Sequence, residues 1–256
     1  MDIVSAKPTL EERCGIKHHL IDILTVEKEF SAGDFVLEAT KALDKIFLKN
    51  KRAIIAGGTW FYIKSLLNKE ALPECKINKE LREELSKSDN NSLWEKLNKL
   101  DPKRASLIHP NNKDKVIRSI EMCIELNMPI SEYKRKENPE YDVCYLMPDI
   151  ERDVLYERIN KRVDEMIELG LEEEWQRNKE KYPDNKILYS TIGYKEFFDK
   201  ELYNGKKEII EKIKQHTRNF AKRQLTYFRS NKEIVPLKNA DEIIGKAEKF
   251  YEKDNK

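Results

Sequence analysis

Apolar residues in this chain recur mostly at three- and four-residue spacing, the period of an amphipathic helix, and only briefly as the unbroken runs of a buried strand. Ser31 is placed to cap a helix running to about Asn50, with Phe35, Ala39, Leu43 and Phe47 on one stripe. From about Ile77 to Met128 the pattern is helical. One segment runs from Asn78 or Lys79 to Leu85 and a second from Ser92 to Leu100. Asp101-Pro102 opens a third, because Asp caps and Pro fits the first helical position. After the loop His109-Pro110-Asn111-Asn112, a fourth segment from Asp114 to Leu126 shows Val116, Ile120, Cys123 and Ile124 as its apolar face. A long amphipathic helix is predicted over about Glu151–Lys179, on the spacing of Val154, Leu155, Ile159, Val163, Met166, Ile167 and Leu171. Another covers Lys206–Phe228, and Gly193 sits in a turn between the two.

Strand signals are few. Ala53–Ala56, short, apolar and followed by Gly57-Gly58-Thr59, suits a buried parallel strand ending in a tight loop, with a helix from about Trp60 to Leu67 behind it. His19–Leu24, Asp142–Met147 and Glu233–Leu237 are the other candidates, and Pro73 breaks the chain. The order of elements predicts an α/β core in two parts, residues 1–70 and 141–256, with a helical insertion over 71–140. Met1-Asp2-Ile3-Val4 leads straight into Ser5-Ala6-Lys7-Pro8 without the strand that usually opens such a domain, so the chain reads as beginning mid-domain.

Composition changes this picture little. Of 256 residues, 39% are hydrophobic and 38% charged, as expected of a soluble, helix-rich protein. The net charge of +2 means that any nucleic-acid surface must come from local clustering. No apolar run approaches the roughly 18–20 residues needed to span a bilayer, so no membrane partner is expected, and no secretory leader is recognisable. Cys14, Cys75, Cys123 and Cys144 form no CxxC pair. That argues against a zinc site and suits free thiols in a reducing cytoplasm. His18-His19 lacks a third ligand at useful spacing, and His109 reads as a loop histidine.

Local clustering supplies the candidate chemistry. Gly57-Gly58-Thr59, between a strand signal and a helix, is either plain turn geometry or a loop whose N–H groups face an anion. Arg158 and Arg162, with Arg152 under two turns earlier, are either a clamp for a phosphate or a solvated stripe paired with Glu157 and Glu165. Lys214, Arg218 and Lys222 recur at four-residue spacing, with Arg223, Tyr227, Phe228 and Arg229 beside them and no acidic residue from Lys212 to Arg229. Such a stripe can track a phosphate backbone, though a solvated helix face has the same pattern.

In order along almost the whole chain, these segments resemble the tRNA dimethylallyltransferase (tRNA isopentenyltransferase) family. The resemblance rests on Met1-Asp2-Ile3 with Ala6-Lys7-Pro8-Thr9, His18-His19-Leu20-Ile21-Asp22, Phe30-Ser31-Ala32-Gly33-Asp34-Phe35 and Gly57-Gly58-Thr59 with Tyr62. It continues through Ile108-His109-Pro110-Asn111, Val116-Ile117-Arg118, Leu155 to Val163 and Ile192-Gly193-Tyr194-Lys195-Glu196. Thr217-Arg218, Ala221 to Thr226 and Phe228-Arg229 complete it.

The resemblance implies a P-loop-NTPase-like parallel-sheet core with a helical insertion that grips the anticodon arm. It implies transfer of a dimethylallyl group from dimethylallyl diphosphate to N6 of the adenosine 3′ of the anticodon, with a magnesium ion (Mg2+) and tRNA as partner. By the same resemblance Arg162 holds the pyrophosphate, and Thr59 lies near the reacting base. Arg82, Asp114, Lys115, Val116, Ile117 and Arg118 contact tRNA, as do Ser190, Thr191, Ile192, Gly193, Tyr194 and Lys195. Gly57, Gly58, Arg158, Arg218, Lys222 and Arg223 are further candidates for phosphate or tRNA contact. A cytoplasmic monomer is expected.

The chain departs from the family pattern in places. The family's phosphate loop, GxxxxGK(S/T), and the Asp-Ser segment that supplies its acid-base aspartate have no counterpart here. The core is therefore expected to be N-terminally truncated, the chain as given to be inactive, and the magnesium ligands of the loop to be missing. A tRNA-binding remnant without catalysis is the alternative, and a P-loop small-molecule kinase relative fits the tRNA-arm motifs less well. Trp60 stands where the family often has a small residue, and Asp114 and Ser190 where many relatives carry an amide or a basic side chain.

Overall fold

The computed structural model describes residues 1–67, 73, 75, 77–134 and 141–252. In chain order its helices are α1 (Ala32–Phe47), α2 (Trp60–Leu67), α3 (Lys79–Ser86), α4 (Asn90–Leu100), α5 (Pro102–Ala105) and α6 (Lys113–Leu126), then α7 (Arg152–Glu168), α8 (Leu171–Lys181), α9 (Lys186–Ser190), α10 (Lys195–Phe198), α11 (Lys206–Arg229) and α12 (Ala240–Glu252). Two short strands, β1 (Leu146–Pro148) and β2 (Val235–Leu237), pair in parallel, with Leu146 opposite Val235 and Pro148 opposite Leu237. The architecture is α/β and dominated by helices. It divides into two compact units, residues 1–64 with 141–256, and residues 65–140. The expected boundary at 70/71 and all but Glu252 of the charged tail 252–256 lie outside the described residues.

The larger unit is built on α7, α8, α10 and α11. Val163, Leu171, Trp175, Leu188, Tyr194, Phe197, Ile209 and Ile213 form its buried cluster, against which Met1, Ile3 and Val4 pack. Burying a side chain of this size contributes about 1.5–3 kcal/mol. The helix expected over Glu151–Lys179 is two helices, because Gly170 takes φ +93 in the left-handed region and ends α7 before α8 begins. α1 begins where expected. Ser31 accepts from the Asp34 amide while the Asp34 side chain receives the Ser31 amide, a capping box. Ala39 and Leu43 of its predicted stripe are buried, but Phe47 is 44% exposed.

Two expected strands are absent among the described residues. Ala53–Ala56 is irregular, with Ile54 86% exposed, and His19–Leu24 is irregular as well. An apolar run becomes a buried strand only if another strand lies beside it to take its N–H and C=O groups. Of the expected strand over Asp142–Met147, only the end at Leu146–Met147 pairs, continuing to Pro148.

The smaller unit, residues 65–140, is helical among its described residues. Leu85, Leu93, Leu97, Ala105, Ile108, Val116, Ile117 and Ile120 make its core. Asp101, fully buried, caps α5 through the Arg104 amide and accepts from both the amide and the hydroxyl of Ser131. Asn127 closes α6 with φ +50, a left-handed C-terminal cap.

Candidate functional site

In the larger unit, α7 and α11 lie against each other, and polar side chains fix their register. Lys214 binds Asp164 at 2.8 Å. One turn further along α11, Arg218 donates to Asn160 Oδ1, one turn back along α7. Arg218 also lies 6.0 Å from the centre of the Tyr156 ring, and Arg152 approaches that ring to 5.1 Å. The hydrogen bond to Asp164 raises the Lys214 pKa, so that ammonium stays charged. Two of the three cations in the predicted stripe are thus held by α7. The third, Lys222, is exposed, and with Arg223, Asn219, Thr226, Tyr227 and Ser230 it lines an open hollow of about 560 Å³.

The glycine loop meets the same helix. A Cβ on Gly58 would stand 2.0 Å from Gln224 Nε2, so a side chain there would displace the Gln224 amide that lies against this loop, whereas Gly57 has nothing within 4 Å. Trp60 presents its ring edge-on to Tyr145 and Phe228, with centroids 5.6 and 5.9 Å away. A large residue at that position therefore pins the start of α2 to the end of α11. Thr59 is exposed, and its carbonyl accepts the amides of Tyr62 and Ile63 as α2 begins.

Arg158 and Arg162 take the other side of α7. Each is two residues from Asn160, about 200° round a helix in either direction, so neither shares the face that meets α11. Arg162 is 3.7 Å from Glu165. The Thr9 amide and hydroxyl chiefly hold the Glu12 carboxyl below its usual range, and the nearby Arg162 charge adds to that. The structure therefore sets the Gly58 loop against Gln224 of α11, holds Arg218 against α7, leaves Lys222 and Arg223 exposed, and turns Arg158 and Arg162 away from the α7–α11 contact.

The segment Ser190 to Lys195 is held from below. Gly193 takes φ +97, and its amide donates to Glu196 Oε2 at 2.7 Å. Glu196 is fully buried and also meets His216 Nδ1. The Tyr194 hydroxyl donates to Glu174 Oε1 at 2.6 Å, and burial with this carboxylate neighbour pushes the phenol well above its ordinary value. Glu174 accepts as well from the amides of Asp2, Ile3 and Val4. Burial opposes its charge, yet these bonds keep its carboxyl below the usual range. The hydroxyls of Ser190 and Thr191 both turn back to the Ile187 carbonyl.

In the smaller unit Arg82 and Arg118 converge on one buried carboxylate. Arg82 donates from Nη2 to Glu121 at 2.8 Å, Arg118 donates to the same oxygen, and the Asn78 amide adds a bond at 2.7 Å. Burial disfavours the Glu121 charge, but the two guanidiniums hold its carboxyl below the ordinary value. Both arginine side chains remain about one-third exposed, at 36% and 34%.

Some expected contact residues are not available as side chains. Val116 and Ile117 sit in the helical core, and Tyr194 and Gly193 are buried. They cannot touch a partner without exposing apolar surface, so Asp114, Lys115, Ser190 and parts of Thr191, Ile192 and Lys195 carry the surface of these segments. Sequence reasoning gave no role to Glu174, Glu121 or Glu196. The available signal was an acidic residue on the apolar stripe of its helix, which must find donors when buried.

Residues 1–231 match the IPP transferase family. The chain belongs to that family. Among curated relatives, the tRNA dimethylallyltransferase of Oceanobacillus iheyensis is 37% identical over 261 aligned residues, 99% of this chain and 83% of the relative. That of Acetivibrio thermocellus is 39% identical, covering 98% and 84%. Among solved structures, a tRNA isopentenylpyrophosphate transferase from Staphylococcus epidermidis superposes with a TM-score of 0.67 at 34% identity, over 99% of this chain and 86% of that one. A eukaryotic dimethylallyltransferase acting on tRNA gives 0.77 at 29% identity, over 88% and 59%. Among the described residues no group of three or more His, Cys, Asp or Glu is placed to hold a metal ion.

Proposed function

We propose that this IPP transferase family member acts on tRNA as a dimethylallyltransferase, with dimethylallyl diphosphate as donor and the adenosine 3′ of the anticodon as acceptor. The observation that carries this reading is the family match over residues 1–231, with relatives that are tRNA dimethylallyltransferases, and the exposed cations Lys222 and Arg223 of α11 give it a surface for a phosphate backbone. In the reaction, the adenosine amine attacks the allylic carbon as pyrophosphate leaves, and charge grows on the departing oxygens. Donors already fixed in place stabilise that charge without reorganising. Arg162, on a face of α7 remote from the α11 contact, is the proposed pyrophosphate ligand; Thr59, exposed beside Gly58, is the proposed neighbour of the reacting base.

The helical unit, with Arg82, Arg118, Asp114 and Lys115, is the proposed grip on the anticodon arm, and the core is proposed to be of the P-loop type. These 256 residues contain no GxxxxGK(S/T).

Binding and transfer are tested separately. An anticodon stem-loop with adenosine 3′ of the anticodon is expected to bind the purified chain with a Kd that weakens as salt rises. Equal binding to a hairpin of unrelated loop sequence overturns the assignment. Transfer is read from prenylated adenosine after incubation with dimethylallyl diphosphate.

A further inference from the structure

Four aromatic rings of the larger unit, on α8, α9 and α10, run from its core to its surface. Trp175 stacks on Phe197 at 5.3 Å and meets Phe198 edge-on at 5.4 Å. Phe198 stacks on Tyr189 with centroids 3.9 Å apart and planes inclined by 25°. Burial falls along this row, from Phe197 at 2% exposure and Trp175 at 7% to Tyr189 at 47%. Phe198 covers one face of Tyr189, and the Tyr189 hydroxyl donates to the Pro183 carbonyl at 3.0 Å. The outermost ring is therefore fixed at its tip and backed by rigid neighbours while nearly half of the residue stays open.

A cation lies over the row. Lys179 Nζ is 5.1 Å from the centre of the Trp175 ring and 5.7 Å from that of Phe198. Residues 175–195 hold five cations, Arg177, Lys179, Lys181, Lys186 and Lys195, against two carboxylates, Glu180 and Asp184. An apolar protein contact would favour a neutral surround. A held, exposed ring at the end of a row that carries an ammonium over its inner rings fits a flat, anionic partner, namely an unpaired nucleotide whose base stacks while its phosphate meets the lysine.

We infer that Tyr189, backed by Phe198 over which Lys179 lies, is a stacking platform for one unpaired base of the bound RNA. The inference rests on the proposed tRNA function and gives it a further contact beside the segment Ser190 to Lys195. Stacking needs the π face and not the hydroxyl, so Tyr189→Phe keeps binding. Tyr189→Ala weakens stem-loop binding about tenfold, within the range for loss of one base–aromatic stack. Tyr189→Leu, which retains apolar volume against Phe198 without an aromatic face, weakens it comparably. A packing role alone predicts instead that Leu is tolerated while Ala is not.

The experiment measures binding of full-length variants to anticodon stem-loops carrying 2-aminopurine at successive loop positions. Fluorescence at one position is expected to be quenched by the wild type and Tyr189→Phe, and restored by Tyr189→Ala and Tyr189→Leu. Lys179→Gln is expected to reduce the salt slope by one phosphate contact, about 0.7 for a single strand, whereas Tyr189→Ala leaves that slope unchanged. Wild-type binding with no quenched position, or with all Tyr189 variants equal to wild type, overturns the platform and leaves the tRNA reading intact. Failure of the wild type to bind any stem-loop overturns the tRNA reading itself.

Discussion

Replacing Glu174 by glutamine tests how the N-terminal segment and the Gly193 turn are held. The carboxylate accepts at Oε2 from the Asp2 and Ile3 amides, at 2.6 and 2.9 Å, and at Oε1 from the Val4 amide at 3.1 Å and the Tyr194 hydroxyl at 2.6 Å. Glutamine must turn an N–H2 toward one of these pairs. The least costly placement puts it at the Oε1 site, where Tyr194 can rotate its hydroxyl to accept, but the Val4 N–H then faces another donor. One orphaned donor costs about 1–3 kcal/mol, and the two remaining amide bonds lose charge assistance. Glu174 is only 6% exposed, so solvent offsets little.

The sum is about 3 kcal/mol. At roughly 2–4 °C per kcal/mol for a domain of this size, Tm falls by about 6–12 °C. Because the Glu174 carboxyl is held below its ordinary value of 4.5, its contribution is full above that value and is lost as pH falls through the lower folded value. Thermal unfolding followed by circular dichroism, with amide exchange at Ile3 and Val4, is the assay. The two proteins should differ at pH 7 and converge in acid. An unchanged Tm with Ile3 and Val4 still protected refutes the reasoning.

Other expectations follow from the same geometry. Gly193→Ala should destabilise the larger unit by about 1–3 kcal/mol, since φ is +97 and the new Cβ would sit 2.9 Å from Val4 Cγ2; a chemical-denaturation midpoint equal to wild type counts against this. Glu121→Gln should lower the stability of the helical unit by about 1–2 kcal/mol, less than for a fully enclosed ion pair because both arginines are one-third exposed, and the loss should shrink in acid. Replacing Lys222 and Arg223 together by glutamine should reduce the salt slope of stem-loop binding by one to two phosphate contacts, and an unaltered slope removes that turn of α11 from the interface.

Much of the helical framework was legible because its information is local. A helix satisfies its own backbone, i to i−4, and its signals lie within a few residues: the Ser31–Asp34 capping box, the Asp101-Pro102 start, and the stripe of Val116, Ile120 and Cys123. The ordered motifs carried the family as well. The same local signals could not place Ala53–Ala56, whose apolar run promises a strand but whose hydrogen bonds depend on a distant partner.

Tertiary structure alone decided which charges are buried and which face outward. Glu174, Glu121 and Glu196 read as ordinary acidic residues on charged helices, yet each is gripped by donors far along the chain or across helices. Arg158 and Arg218 read as equivalent cations, yet α7 turns one away from α11 and holds the other. Likewise nothing around Gly58 in sequence reveals Gln224 lying against it. Periodicity specifies a face of a helix, whereas the neighbour that meets that face is set by the packing of elements widely separated along the chain.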